Sequence, residues 1–323
     1  MDVYRLFKLM SDRSSHNKRI AKNTLFLYLR MGLVLVVSLF STRVVLQALD
    51  IEDYGINNVV SGFVTMFAFL NTSMSNGVQR FYNFSLGRKN GYSIKDVYNT
   101  ALQIQAILAV TLLVPLETFG MWYIHTQMVI PIDRFAAAQW VFQFSVLSLV
   151  LLVLQIPYSA AIMAYEKMDY YAYLSIFDVL AKLGIAYIIK YPTFDKLILY
   201  GALNMLVSLI CFFLYYGYAK FHFQDLKSDF IIRKQLFKPM LYFSGWNGFG
   251  SFAYMIKSQG LNMLLNVFFG PVVNAARGVS NMAMSAIQGF QSNIVIAFRP
   301  QLIQSYATGD NERVLKLFYN LSK

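Results

Sequence analysis

Val141-Phe142-Gln143-Phe144-Ser145-Val146-Leu147-Ser148-Leu149-Val150-Leu151-Leu152-Val153-Leu154-Gln155-Ile156 carries no charged side chain, and it lies within a longer apolar stretch at 135–163. A helix needs about 20 mostly apolar residues to cross the hydrocarbon of a bilayer, so this segment reads as a membrane span. Leu33–Phe40, Ile104–Leu116 and Leu203–Tyr216 form the hearts of further spans. The runs are continuous rather than alternating, which excludes a membrane β-barrel. Composition agrees: 57% of the 323 residues are hydrophobic and 14% are charged, and the mean hydropathy is +0.47. A chain this apolar needs lipid as its solvent.

Spans are expected near 23–48, 55–79, 97–122, 135–163, 170–190, 194–218, 241–268 and 271–298, which makes an all-α polytopic protein of about eight transmembrane helices. The net charge of +12 does not point to nucleic acid, because the 28 Lys and Arg follow the membrane. Twenty fall on the side of the termini, in 1–22, 80–96, 219–240, 299–323 and at Lys167, whereas Arg134, Lys190 and Lys196 fall on the other. By the positive-inside rule both termini face the cytoplasm. The expected organisation is a basic N-terminus at 1–22, a six-helix lobe at 23–218, an amphipathic inner-leaflet connection at 219–240, and the start of a second lobe at 241–323.

Several chemistries find no support. The single cysteine, Cys211, allows no disulfide within the chain, and His16, His125 and His222 are scattered, so neither a metal centre nor another cofactor is expected. Gly245-x-x-Gly248-x-Gly250 lacks the spacing of a phosphate loop and suits close helix packing. No nucleophile and base recur together. The first span has no cleavage site after it and is expected to remain. Pro115 and Pro157 fall inside spans and are expected to kink them.

The chain also resembles itself. Tyr54-Gly55-Ile56-Asn57-Asn58 opens the second span and Phe269-Gly270-Pro271-Val272-Val273-Asn274 the eighth, and both helices close on an arginine, Arg80 and Arg299, followed by Gly87-Arg88 and Gly309-Asp310. We expect a duplicated unit whose copies lie parallel, because an even number of spans separates them. On this reading the second lobe holds only two of its helices, and a partial chain is expected.

Polar residues mark three spans. Asn57, Ser61, Thr65, Thr72 and Asn76 recur at helical spacing in the second; Asn247, Ser251, Ser258 and Asn262 in the seventh; Asn274, Arg277, Asn281 and Ser285 in the eighth. Taken singly, such residues hold helices together. As unbroken stripes they suggest helices that line a wet cavity. Charges inside spans are costly unless they face water or a partner. Asp178 and Lys182 stand one turn apart in the fifth span, spaced for an ion pair that serves either structure or coupling. Arg30, Arg43, Lys257 and Arg277 are the candidate substrate-binding cations, with snorkelling as the alternative for the arginines. Five intramembrane bases against Asp178 and Glu117 give a cavity that attracts anions, and Arg and Lys suit phosphate groups.

These residues resemble a family, the Wzx-type flippases of polysaccharide and O-antigen repeat units, within the superfamily of multidrug and oligosaccharidyl-lipid exporters. The resemblance is carried by Asn23-Thr24, by Arg43-Val44-Val45-Leu46-Gln47-Ala48-Leu49 before Asp53-Tyr54-Gly55, by Ser75-Asn76-Gly77-Val78-Gln79-Arg80-Phe81-Tyr82, and by Arg299-Pro300-Gln301 with Gly309-Asp310. It implies two lobes facing across a central cationic cavity. It also implies movement of a polyisoprenoid-diphosphate-linked oligosaccharide from the inner to the outer leaflet of the bacterial cytoplasmic membrane. The partners implied are that lipid-linked oligosaccharide, membrane lipids and other polysaccharide-assembly proteins, and no nucleic acid. A cation-coupled multidrug exporter of the MATE type is the first alternative, although a basic cavity disfavours cationic drugs. A membrane glycosyltransferase or polymerase is the second, and it would need catalytic carboxylates or a large outer loop.

Overall fold

The structure, a computed structural model, describes residues 3–87, 92–126, 128, 130–191, 194–226 and 234–322, with side chains from 22 onward except at 51, 65, 68, 255–256, 258–279, 281–283, 285–286 and 320–322. Among them no strand occurs, as the continuous apolar runs require. The helices are α1 (Val3–Thr65), α2 (Ala68–Gly87), α3 (Ile94–Pro115), α4 (Met121–Thr126), α5 (Phe135–Ala164), α6 (Met168–Ile188), α7 (Lys196–His222), α8 (Lys234–Thr308) and α9 (Asn311–Ser322).

Helix α1 is two helices. Asp50, at φ 63° and ψ 168°, breaks it where the sequence places the first outer turn, and Asp is one of the few residues that tolerate positive φ. The first crossing carries Val36 at 64% and Leu39 at 68% exposure, values that suit lipid contact rather than water. Pro115 is followed by a π-helical turn at Leu116–Gly120, the expected distortion, and Gly120 there packs against the ring of Phe142. Ser93 and Asp96 form a reciprocal cap that starts α3.

Among the described residues five helical stretches are long and apolar enough to cross a membrane: Lys22–Asp50, Ile94–Thr126, Ile132–Ala164, Met168–Ile188 and Lys196–His222. The chain is thus a multi-pass membrane protein. The other three expected spans are also helical, but none stands alone. The second is divided at Met66–Phe67 between α1 and α2, and the seventh and eighth share α8.

Helix α8 runs for 75 residues, which would reach about 110 Å if straight. Its contacts forbid that. The backbone carbonyl of Ser244 accepts a 2.6 Å hydrogen bond from Ser73 Oγ, and Arg299 donates to Asn76 Oδ1. Neighbouring turns of α2 therefore touch points that a straight helix would hold about 80 Å apart. The first arm runs antiparallel to α2, with Phe252 on Phe69 and Ser244 at Gly77. The second arm runs parallel to it, with Gln304 bonded to Asn83 and Ala307 against Gly87. The midpoint between Ser244 and Arg299 falls beside Gly270-Pro271, where the sequence separates two spans.

Among the described residues three buried clusters bind the helices, the first of them reaching α8 through Leu236 and Met240. One joins α2, α3, α5 and α7 around Tyr82, Ala101, Ile162 and Ala219. A second joins the latter part of α1 to α3 and α5 around Val60, Leu116 and Phe142. The third sets Val45 and Leu49 of α1 against Ala186 and Ile189 at the end of α6 and Val207 of α7.

Candidate functional site

A cavity of about 660 Å³ opens inside the first lobe, walled by α1, α5, α6 and α7. Arg30, Asn57, Ser61, Asp178 and Lys182, all expected at a site, line it together. Lys182 Nζ lies 2.8 Å from Asp178 Oδ2, the one-turn ion pair that the spacing allows, and the pair keeps 44% and 32% of its side chains exposed to the cavity. Cys211 comes within 4.0 Å of the other oxygen of Asp178.

Arg30 is held more loosely. Its Nη1 reaches Ser175 Oγ at 3.5 Å and its guanidinium lies 5.0 Å from the ring centre of Tyr171, but its buried Nε has no partner. No carboxylate pairs with it among the described residues. The ionic lining is therefore two cations and one carboxylate, so the cavity carries net positive charge. On the opposite wall Ser61 Oγ is 3.3 Å from Asn57 Oδ1 and 3.2 Å from Ser145 Oγ.

The other expected residues lie elsewhere. Asn76 accepts from Arg299 between α2 and α8. Asn247 donates to the carbonyl of Phe243 in its own helix at 3.0 Å, and its carbonyl accepts from Ser251. Arg43 and Lys257 are exposed and do not line the cavity. The side chains of Asn262, Arg277 and Asn281 lie outside the described residues. The polar stripe of the second span enters this cavity through Asn57 and Ser61.

The walls contain residues that the sequence reading passed over. Ser145, Ser148 and Gln155 interrupt the most apolar run at helical spacing, and Asn204, Ser208 and Cys211 do the same on α7. The periodicity used for the second span would have found both stripes.

One turn before Asn57, a clamp ties together the ends of three helices. Arg134 donates through Nε to Asp53 Oδ1 at 2.7 Å and through Nη2 to Asp53 Oδ2, and its Nη1 meets Asp195 Oδ2 at 2.7 Å. Asp195 also caps α7, accepting from the backbone N–H groups of Leu197 and Ile198 at 3.0 and 3.1 Å.

No protein-family profile matches the chain, and no curated protein matches it. Solved structures do match. An outward-facing multidrug resistance transporter of the MATE family superposes with TM-score 0.77 at 12% identity, over 95% of this chain and 68% of that one. A MOP superfamily transporter from Pyrococcus furiosus, described by the reverse polarity of its binding pocket, gives 0.71 at 12% over 94% and 68%. A variant of the Vibrio cholerae MATE transporter VcmN gives 0.71 at 15% over 94% and 69%. At such identities the likeness is one of fold: this chain is a multi-pass membrane protein built as MATE transporters of the MOP superfamily are built.

Proposed function

We propose that the protein is an exporter of the MOP type whose cargo is a polyisoprenoid-diphosphate-linked oligosaccharide, moved from the inner to the outer leaflet of the bacterial cytoplasmic membrane. Both termini face the cytoplasm on this reading, and the step involves no covalent chemistry. The observation that carries it is Arg30, a guanidinium without a carboxylate partner among the described residues, beside a cavity whose only described carboxylate is occupied by Lys182. A diphosphate brings charges that hydrocarbon cannot stabilise, and fixed cations beside water replace part of its lost hydration. The pocket of reverse polarity in the Pyrococcus furiosus transporter gives the same fold a precedent for altered charge. Lys257, Arg43 and Arg277 remain candidate contacts of the cargo along its path, and Asn262 and Asn281 candidate polar lining. The test is Arg30→Gln in cells that depend on the protein. Lipid-linked oligosaccharide should accumulate on the inner leaflet at normal protein level, and surface polysaccharide made at the parental rate would count against the reading.

Cation-coupled multidrug export is the second reading, favoured by the carboxylate of Asp178 within the first-lobe cavity. It predicts that Asp178→Asn abolishes dye efflux driven by sodium or protons. The ion pair with Lys182 opposes it, because a tethered ammonium already fills the position an exchanging cation would need.

A further inference from the structure

Helix α2 turns two strips toward the α8 hairpin. Ser73 and Gly77 face the first arm at Ser244, whereas Asn83 and Gly87 face the second at Gln304 and Ala307. At about 100° per residue, Arg80 falls between these strips, one turn from Asn76. Its guanidinium lies 4.1 Å from the ring centre of Phe243, on the first arm, and 5.5 Å from that of Phe84. Arg299 comes from the second arm and donates to Asn76. The α2 positions that meet the two arginines' surroundings, Asn76 and Arg80 itself, are therefore one turn apart, about 6 Å of helix rise. Among the described residues neither meets a carboxylate, and no hydrogen-bond acceptor meets Arg80. A contact with the face of an aromatic ring consumes none of a guanidinium's N–H donors, so those of Arg80 stay available to an anion. A phosphoryl group that accepts from guanidinium N–H donors through two of its oxygens would give both arginines the anionic partner they lack.

We infer that Arg80 and Arg299 form a binding site for a phosphoryl anion in the crevice between α2 and the two arms of α8, apart from the first-lobe cavity. A lipid-borne diphosphate and an anionic lipid headgroup share this chemistry, and the diphosphate assignment rests on the function proposed above. The test is calorimetric titration of inorganic pyrophosphate into the full chain, held in nanodiscs of phosphatidylcholine alone or with phosphatidic acid.

Pyrophosphate should bind in phosphatidylcholine discs, and Arg80→Gln or Arg299→Gln should each weaken it by about tenfold or more. Arg80→Lys and Arg299→Lys keep the charge and should retain part of the affinity, which separates loss of the site from loss of the fold. If lipid headgroups occupy the site, phosphatidic acid should weaken pyrophosphate binding in the parent but not in the glutamine variants. Equal titration of parent and glutamine variants, or no binding in either disc, overturns the inference. Binding lost only in Arg30→Gln places the anion in the first-lobe cavity, overturning this site while leaving the proposed function standing.

Discussion

Replacing Arg134 by Gln removes the clamp that ties together the ends of three helices. The guanidinium makes two bonds to Asp53 and its closest contact to Asp195 is 2.7 Å, with 22% of its own side chain exposed and 16% and 30% of theirs. Breaking a buried pair by removing one partner costs about 3–5 kcal/mol, whereas exposed pairs contribute below about 1 kcal/mol. This site lies between those limits. Asp195 keeps its bonds to the start of α7, so the main loss is Asp53, left charged beside a second carboxylate. About 2–3 kcal/mol is the expected cost, a fall of roughly 3–5 °C in unfolding temperature for a chain of this length. Cys211, the only cysteine, is 7% exposed, so a thiol-reactive fluorogenic dye reports unfolding without any engineered label. Asp53→Asn in the Arg134→Gln background should restore part of the loss, because it removes the orphaned charge. An Arg134→Gln protein that unfolds with the parent, or losses that add strictly in the double variant, would refute the reasoning.

Other outcomes follow from the same geometry. Neutralising Asp178 or Lys182 alone should lower folded yield more than neutralising both, and losses that add strictly in the double variant would show that the 2.8 Å pair has no energetic weight. Gly87→Ala should destabilise by about 1–3 kcal/mol, since the new Cβ would lie 2.7 Å from the backbone oxygen of Gln304. Gly250→Ala, with nothing within 4 Å, should be neutral or stabilising by up to about 1 kcal/mol, so the two thermal shifts should differ in sign or size. In a Cys211→Ala background, a cysteine at Ile132 should react with an impermeant reagent from outside and one at Ser93 only after the membrane is opened. The reverse pattern would invert the topology.

The fold was legible because lipid exposes the apolar periods that a water-soluble core would hide. Charges inside such runs stand out, so Arg30, Asp178 and Lys182 could be singled out, and all three line one cavity. Partners distant in sequence were not legible. Arg299 meets Asn76 and Arg134 meets both Asp53 and Asp195 only after the helices pack, and nothing local announces either contact. Asn247 and Ser251 on the seventh span bond to carbonyls one turn back, and so do Ser145, Ser148, Asn204 and Ser208 in the walls of the cavity, so a polar stripe bonded within its own helix is compatible with either a packed face or an open one. Ser145, Ser148 and Gln155 were hidden by the apolarity of the run that revealed the fold.

The charge of the cargo is the central claim, and reconstituted transport measures it directly. Proteoliposomes containing the full chain would be loaded on one leaflet with a fluorescent polyisoprenyl-diphosphate oligosaccharide and, separately, with a cationic dye in the presence of sodium or proton gradients. The diphosphate lipid should cross in the parent and cross at least about tenfold more slowly in Arg30→Gln, a difference of about 1.4 kcal/mol in the barrier, while the dye stays behind. Gradient-driven movement of the dye, with the diphosphate lipid left on its original leaflet, would contradict the account.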